Sequence, residues 1–171
     1  MTPSSDRGVV VVGAGQAGFQ VAASLRDEGY EGCVTVIGDE PGLPYQRPPL
    51  SKSYLAGEAD DEQIWLRPQA FYAGRRIDLR PGARALRIDR TSGELQLDDG
   101  SRLPYGHLVL ATGARPRVLQ VRGGDLEGVL ALRSRAELVA SVREADAKLV
   151  LVEGAGGLLV ELGEDGVTLR D

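Results

Sequence analysis

Four valines in a row, Val9 to Val12, run into Gly13-Ala14-Gly15 and then Gln16-Ala17-Gly18. An unbroken series of branched apolar side chains calls for burial on both faces, the condition of a strand inside a parallel sheet. After the glycines, Ala17, Val21 and Leu25 recur every four residues. That spacing predicts a helix that lays those three side chains on the sheet, and Gly29 after Asp27-Glu28 predicts its end. Strand, tight turn and helix in this order demand an α/β architecture. They also give Gly13, Gly15 and Gly18 a reading as GxGxxG: one glycine for the turn, one for close approach of a pyrophosphate, one for close packing of helix on strand. The start of such a helix offers unpaired N–H groups and partial positive charge to phosphates.

A glycine turn of this kind also occurs in α/β proteins that bind nothing. Here a second apolar run, Val34 to Ile37, ends in Gly38-Asp39-Glu40. Carboxylates therefore follow the glycines by about twenty residues, where ribose hydroxyls need an acceptor. The opening of the chain reads as a dinucleotide-binding βαβ unit.

With 171 residues the chain can bury one domain of ordinary size. Its 42% hydrophobic and 26% charged residues are those of a globular protein, and a net charge of -5 argues against nucleic acid or an anionic membrane as the main partner. No apolar run reaches membrane-spanning length and MTPSSDR lacks a signal-peptide core, so the expected compartment is the cytoplasm. One cysteine and one histidine exclude an internal disulfide, a CxxC pair and a multi-histidine metal site, and no metal is expected. Cys33, at the edge of the second strand, is expected to be a small buried thiol. His107, at the start of a later strand, reads as structural.

From Gly38 to Glu58 the prolines at 41, 44, 48 and 49 forbid regular helix across the first half, while Tyr45, Leu50, Tyr54 and Leu55 supply apolar anchors for an ordered loop. The loop carries Arg47 and Lys52, one of only two lysines, the other being Lys148. On composition alone both are solvated surface cations. A connector and helix over Ile64 to Tyr72 and a short strand at Ile77 to Leu79 follow. Then Ala83 to Asp89, Glu94 to Leu97 and Leu103 form a β-meander, with turns at Thr91-Ser92-Gly93 and Asp98-Asp99-Gly100. Leu108 to Ala111 reads as another buried strand, and Ser134 with Glu137 as a capping box ahead of a helix with Leu138, Val139 and Val142 on its apolar face.

VVVVGAGQAG, VIGDEPGLPYQRPPLSKSYL, WLRPQAFY and LVLATGARPR stand in that order and closely resemble the FAD-binding half of the ferredoxin, rubredoxin and putidaredoxin reductase family, from about Arg7 to about Asp146. The resemblance implies a Rossmann-like FAD/NAD(P)-binding fold, a parallel sheet with helices and a three-stranded meander layer. It implies a flavoprotein that takes hydride from NAD(P)H and hands electrons to a ferredoxin- or rubredoxin-like iron–sulfur protein. By position, Gly13, Ala14, Gly15, Gln16, Ala17 and Gly18 would form the pyrophosphate turn and Asp39, with Glu40 beside it, would hold the ribose. Ala85 would contact the adenine side through its backbone, Ala111, Thr112 and Gly113 would approach the pyrophosphate from the far side, and Arg133 would reach back toward the cofactor. Arg47 and Lys52 match the cations of the family's RPPLSK segment. In that light they are site residues, Lys52 tuning the flavin ring as the catalytic candidate. Trp65 would cover the flavin or pack in the core.

The division expected is a FAD-binding domain over residues 1–116, a connector and helix over 117–148, and a truncated or fused strand-turn tail over 149–171. In the tail, LVLVEGAGGLL has the strand and first two glycines of a second GxGxxG, but Leu159 stands where the third would be. VEGAGG is similar to a segment of dethiobiotin synthetase, though no GxxxxGK[ST] accompanies it. Three readings follow. The main one is a reductase lacking most of its nicotinamide domain and all of its C-terminal region; the others are a non-catalytic flavin- or nucleotide-binding fragment and an ATP-dependent synthetase fragment.

Overall fold

The computed structural model describes residues 7–117, 120–125 and 131–138. They belong to two compact units, one drawn from Met1–Gln46 and Asp61–Gly113, the other from Arg47–Asp60 and Ala114–Asp171.

In the first unit the chain runs β1 (Val9–Val12), α1 (Gln16–Asp27), β2 (Val34–Gly38), α2 (Asp61–Ile64), α3 (Gln69–Gly74) and β3 (Ile77–Pro81). It continues through β4 (Ala85–Asp89), β5 (Glu94–Leu97), β6 (Arg102–Pro104) and β7 (His107–Leu110). Four strands form a parallel sheet in the order β3-β2-β1-β7, with Val9 opposite both Val34 and His107. The meander β4-β5-β6 is a separate antiparallel sheet. Strand side chains alternate between faces, so β1 serves two cores. Val9 and Val11 join Val34, Val36 and Ile77 against Phe19, Ala22, Ala23 and Tyr72 of the helices. Val10, Val12 and Ile37 meet Leu95 and Leu97 of the meander. The four valines are buried because both faces of their strand are covered.

The buried face of α1 is Gly18, Phe19, Ala22 and Ala23, not the stripe Ala17, Val21 and Leu25. Val21 and Leu25 are partly buried at its margin and Ala17 is exposed. Close seating of Gly18 on the β1 turn sets the rotation of the helix, and Phe19 then packs with Phe71 and Tyr72. The expected stop at Gly29 holds. Gly29 (φ +80°) donates to the Arg26 carbonyl at 3.2 Å and Tyr30 to that of Leu25 at 2.8 Å, the paired bonds of a Schellman motif. Beside it the Arg26 guanidinium donates to the carbonyls of Gly32, Arg75 and Arg76, each at 2.8 Å, and to that of Tyr30, tying the ends of α1 and α3 together.

Two further expectations are corrected. β7 is the outer strand of the described sheet, so Leu108 and Val109 are only half-buried and Leu110 is 61% exposed. Cys33 is exposed, because it lies in the loop ahead of β2 and not within the strand; its carbonyl accepts from Val9 at 2.8 Å.

In the second unit the prolines begin a 3-10 turn, Pro48–Ser51, where a missing N–H and fixed φ are tolerated. Leu50 and Tyr54 are buried, as the anchor reading requires. Ser134 caps α4 (Arg135–Glu137): its hydroxyl accepts from Glu137 N–H at 3.2 Å while the Glu137 carboxylate accepts from Ser134 N–H at 2.8 Å. Leu138 is buried; Val139, Val142 and the tail over 149–171 lie outside the described residues. Among the described residues no helix is long and apolar enough to cross a membrane.

Candidate functional site

Three segments of the first unit meet where β1, β2 and β7 end. Gly13 donates to the Ile37 carbonyl of β2 at 2.8 Å, and Ala111 donates to the Val12 carbonyl at 2.7 Å. Gly13 has φ +112°, which side chains avoid, and a Cβ there would collide with the Ala111 carbonyl. On the other side, a Cβ on Gly38 would come within 2.6 Å of Ala14 Cβ. The loop at Gly13–Gly15 is therefore held between the end of β2 and the Ala111-Thr112-Gly113 turn.

Around this mouth the glycines divide their tasks. Gly18 lets the helix sit on the loop, since a side chain there would strike the Gly13 carbonyl. Gly15 is the opposite case: it precedes α1, and among the described residues no atom beyond its immediate chain neighbours lies within 4 Å of where its Cβ would be. Among the described residues no side chain caps α1, its first turn has no acidic residue, and Gln16 and Ala17 are exposed. A helix start of this kind leaves its first N–H groups without intrahelical partners, a setting that attracts an anion.

Asp39 is exposed and its carboxylate has no hydrogen bond or ion pair among the described residues. Glu40 is half-buried, accepts the Tyr45 hydroxyl on Oε2, and gives its carbonyl to Gly82 N–H at 3.0 Å. Ala85 opens β4 and packs on the meander core, and the pairing with β5 slips between Ala85 and Arg87, leaving a bulge. Thr112 and Gly113 are exposed, Gly113 at φ +71°. Trp65 is half-buried and forms an isolated bridge with Tyr45.

The other three candidates belong to the second unit. Arg47 precedes the 3-10 turn and its guanidinium donates to the Arg133 carbonyl at 2.6 Å, joining two segments far apart in sequence. Lys52 follows the turn, its backbone N–H bonded to Pro49 at 2.9 Å and its side chain exposed. His107 is exposed at the start of β7 and, like the other described His, Cys, Asp and Glu residues, belongs to no cluster that could hold a metal. A charged hollow of about 70 Å³ lined by Arg87, Asp89, Glu94, Gln96 and Arg102 lies on the meander, too small for a dinucleotide. Gly38, at the mouth, and Tyr45, bonded to Glu40, carry no site role in the sequence reading. The signal for Gly38 was its place between an apolar strand and Asp39; for Tyr45 there was none beyond its use as an anchor.

Residues 7–165 match the family model described as pyridine nucleotide-disulphide oxidoreductase, so the likeness extends past Asp146. Rhodocoxin reductase of Rhodococcus erythropolis is 46% identical over 156 residues, covering 90% of this chain and 36% of that protein. Putidaredoxin reductase of Pseudomonas putida is 41% identical over 151 residues, 85% of this chain and 36% of that one. Among solved structures, a ferredoxin reductase from Rhodopseudomonas palustris superposes with a TM-score of 0.71 at 47% identity, over 78% of this chain and 33% of its own. The chain spans little more than a third of the length of these curated relatives. The parallel sheet, helices and antiparallel layer are the Rossmann-like fold of those reductases. A match that begins just ahead of β1 and runs to residue 165 shows that the chain belongs to the pyridine nucleotide-disulphide oxidoreductase family.

Proposed function

We propose that this chain is the FAD-binding portion of a cytoplasmic oxidoreductase that takes hydride from NADH or NADPH and passes electrons to a ferredoxin- or rubredoxin-like iron–sulfur protein. One observation carries the reading: the start of α1 at Gly15 is uncapped among the described residues, a Cβ there would meet none of them, and exposed Asp39 follows the neighbouring strand. That cradle fits a pyrophosphate and a ribose. The names of the relatives, reductases of rhodocoxin, putidaredoxin and ferredoxin, support the acceptor class.

In this reading the backbone from Gly13 to Gly18, with Ala14, Gln16 and Ala17 between the glycines, holds the pyrophosphate from one side and Ala111, Thr112 and Gly113 from the other. Asp39 accepts the ribose hydroxyls, and Ala85 meets the adenine through its backbone. Arg47, Lys52 and Arg133 serve the flavin half, where the Lys52 ammonium favours negative charge on the ring. When bound, FAD supplies the change from a two-electron hydride donor to one-electron delivery. This stretch holds a single cysteine, Cys33, and so carries no pair for disulfide exchange.

A second reading, a nucleotide-binding module without turnover, is favoured by Leu159 at the third position of the second glycine pattern. Purified chain that is yellow and bleaches when NADH or NADPH is added without oxygen supports the first reading. Bound flavin that never bleaches supports the second. A colourless chain that cannot be loaded with FAD removes both.

A further inference from the structure

Asp39 and Glu40 are neighbours at the end of β2, and either carboxylate has the chemistry to accept a ribose hydroxyl. The structure treats them differently. Glu40 is built into the corner: its Oε2 takes the Tyr45 hydroxyl, and its carbonyl takes the N–H of Gly82, in the turn between β3 and β4. Tyr45 is itself held. It is 8% exposed and bridges Trp65, while the residues on either side bond to the same segment, Gln46 N–H to the Ile64 carbonyl and Leu66 N–H to the Pro44 carbonyl, each at 2.8 Å. Asp39 stands between two fixed points. Behind it Gly38 is pressed on Ala14 of the glycine loop, and ahead of it Glu40 is tied to Tyr45 and Gly82.

We propose that Tyr45 is a positioning residue which, by binding Glu40, fixes the corner after β2 so that Asp39 alone presents its carboxylate to the ribose hydroxyls of the adenine nucleotide. The Glu40 carboxylate is an internal tie, although sequence position gives it equal claim to the ribose. The inference rests on the FAD-binding reading and assigns roles within it. A bond from a hydroxyl to a charged acceptor is lost when that hydroxyl is absent, so the ribose 2′-hydroxyl is the group to probe.

The test uses the full chain, with ADP and 2′-deoxy-ADP as ligands in titration calorimetry. The unmodified chain is expected to prefer ADP by about tenfold or more. Tyr45→Phe, which removes one oxygen and keeps the packed ring, is expected to lower that preference to about twofold. Glu40→Gln is expected to keep it, because an amide oxygen still accepts from the tyrosine. Glu40→Ala reads the same tie from the acceptor side should Tyr45→Phe fail to fold, and is expected to lose the preference. A merely structural Tyr45 would weaken both ligands alike and leave their ratio unchanged. That result, or loss of the preference in Glu40→Gln, would overturn the assignment. If the unmodified chain holds FAD yet binds the two nucleotides equally, the assignment falls and the FAD reading stands; if it binds neither FAD nor ADP, both fall.

Discussion

The carbonyl oxygen of Gly13 occupies the place that a side chain on Gly18 would need. Helix α1 rests on the turn that precedes it, and nothing larger than hydrogen fits between them. At Gly15 no described residue fills the place of a side chain, and the backbone, at φ -85°, accepts any L residue.

The two glycines should therefore fail in different ways. Gly18→Ala drives a methyl into backbone that cannot swing aside, and the expected cost is about 3 kcal/mol of stability. Gly15→Ala puts a methyl on the open surface where a phosphate would lie. Its stability should change by less than about 1 kcal/mol, while FAD affinity falls about tenfold or more. Urea melts and FAD titrations of both variants check this; equal loss of stability in the two would refute the division of roles.

Lys52 and Lys148 are the two lysines of the chain, and only Lys52 lies in the RPPLSK segment, exposed at the end of the 3-10 turn. Lys52→Ala should shift the visible flavin spectrum and weaken FAD retention more than Lys148→Ala does. Lys148 lies outside the described residues and serves as the charge control. Equal, negligible effects would remove Lys52 from the site.

Local signals carried most of the fold. Val9 to Val12, Gly29, the turns at Gly93 and Gly100 and the Ser134–Glu137 box each encode their conformation within a few residues, and each is found where the sequence sets it. What stayed hidden depends on partners distant in the chain. The face of α1 is turned by Gly18 against Gly13, which periodicity counted from Ala17 does not register. The exposure of Leu110 follows from where β7 falls in the strand order. Arg26 looks like an ordinary helix-end cation, yet its guanidinium serves the carbonyls of Arg75 and Arg76 just past the end of α3, about fifty residues on. The candidate site divides in the same way: the glycine loop and Asp39 can be named as candidates because one βαβ unit contains them, whereas the tie from Tyr45 to Glu40 is a side-chain meeting that no spacing rule describes.

Tyr72 is buried on α3 beside Phe19 and Phe71, and its hydroxyl has no hydrogen-bond partner among the described residues. Burial pushes its pKa up to about 12, against a smaller opposing pull from Arg67. Tyr72→Phe removes an unpaired polar atom and should be neutral or stabilising by about 1 kcal/mol near neutral pH. The sign at high pH follows from linkage. Because the folded state holds the proton more tightly, the protonated hydroxyl adds no pH-dependent penalty below the ordinary tyrosine value, and stability is lost progressively as pH rises from there through the folded value. Unfolding free energy of the unmodified chain should fall between about pH 10 and about pH 12 more steeply than that of the variant. Denaturant midpoints at neutral and alkaline pH decide it, and a variant destabilised at neutral pH would mean the hydroxyl has a partner.

Asp89 closes the turn between β4 and β5. Its carboxylate accepts from Thr91 N–H at 2.9 Å and Ser92 N–H at 3.1 Å, and its carbonyl takes Gly93 N–H at 3.0 Å. The Ser92 N–H first, then that of Thr91, holds the carboxyl below the ordinary aspartate range; Asp99, bonded by the hydroxyl and N–H of Ser101, is lowered in the same manner. A lowered folded-state value means that the unfolded chain takes up the proton first. The stabilisation is therefore whole above the ordinary value of 3.8 and disappears as pH falls through the folded one. Asp89→Asn keeps an acceptor oxygen for the two N–H groups but gives up the charge, so it should be less stable than the unmodified chain at neutral pH. The difference in Tm should close as pH drops below about 4, and adding Asp99→Asn should flatten the acid limb further. Melting curves taken from neutral pH into that range test this: parallel losses in all three chains would show that these two turns do not set the acid sensitivity of the meander.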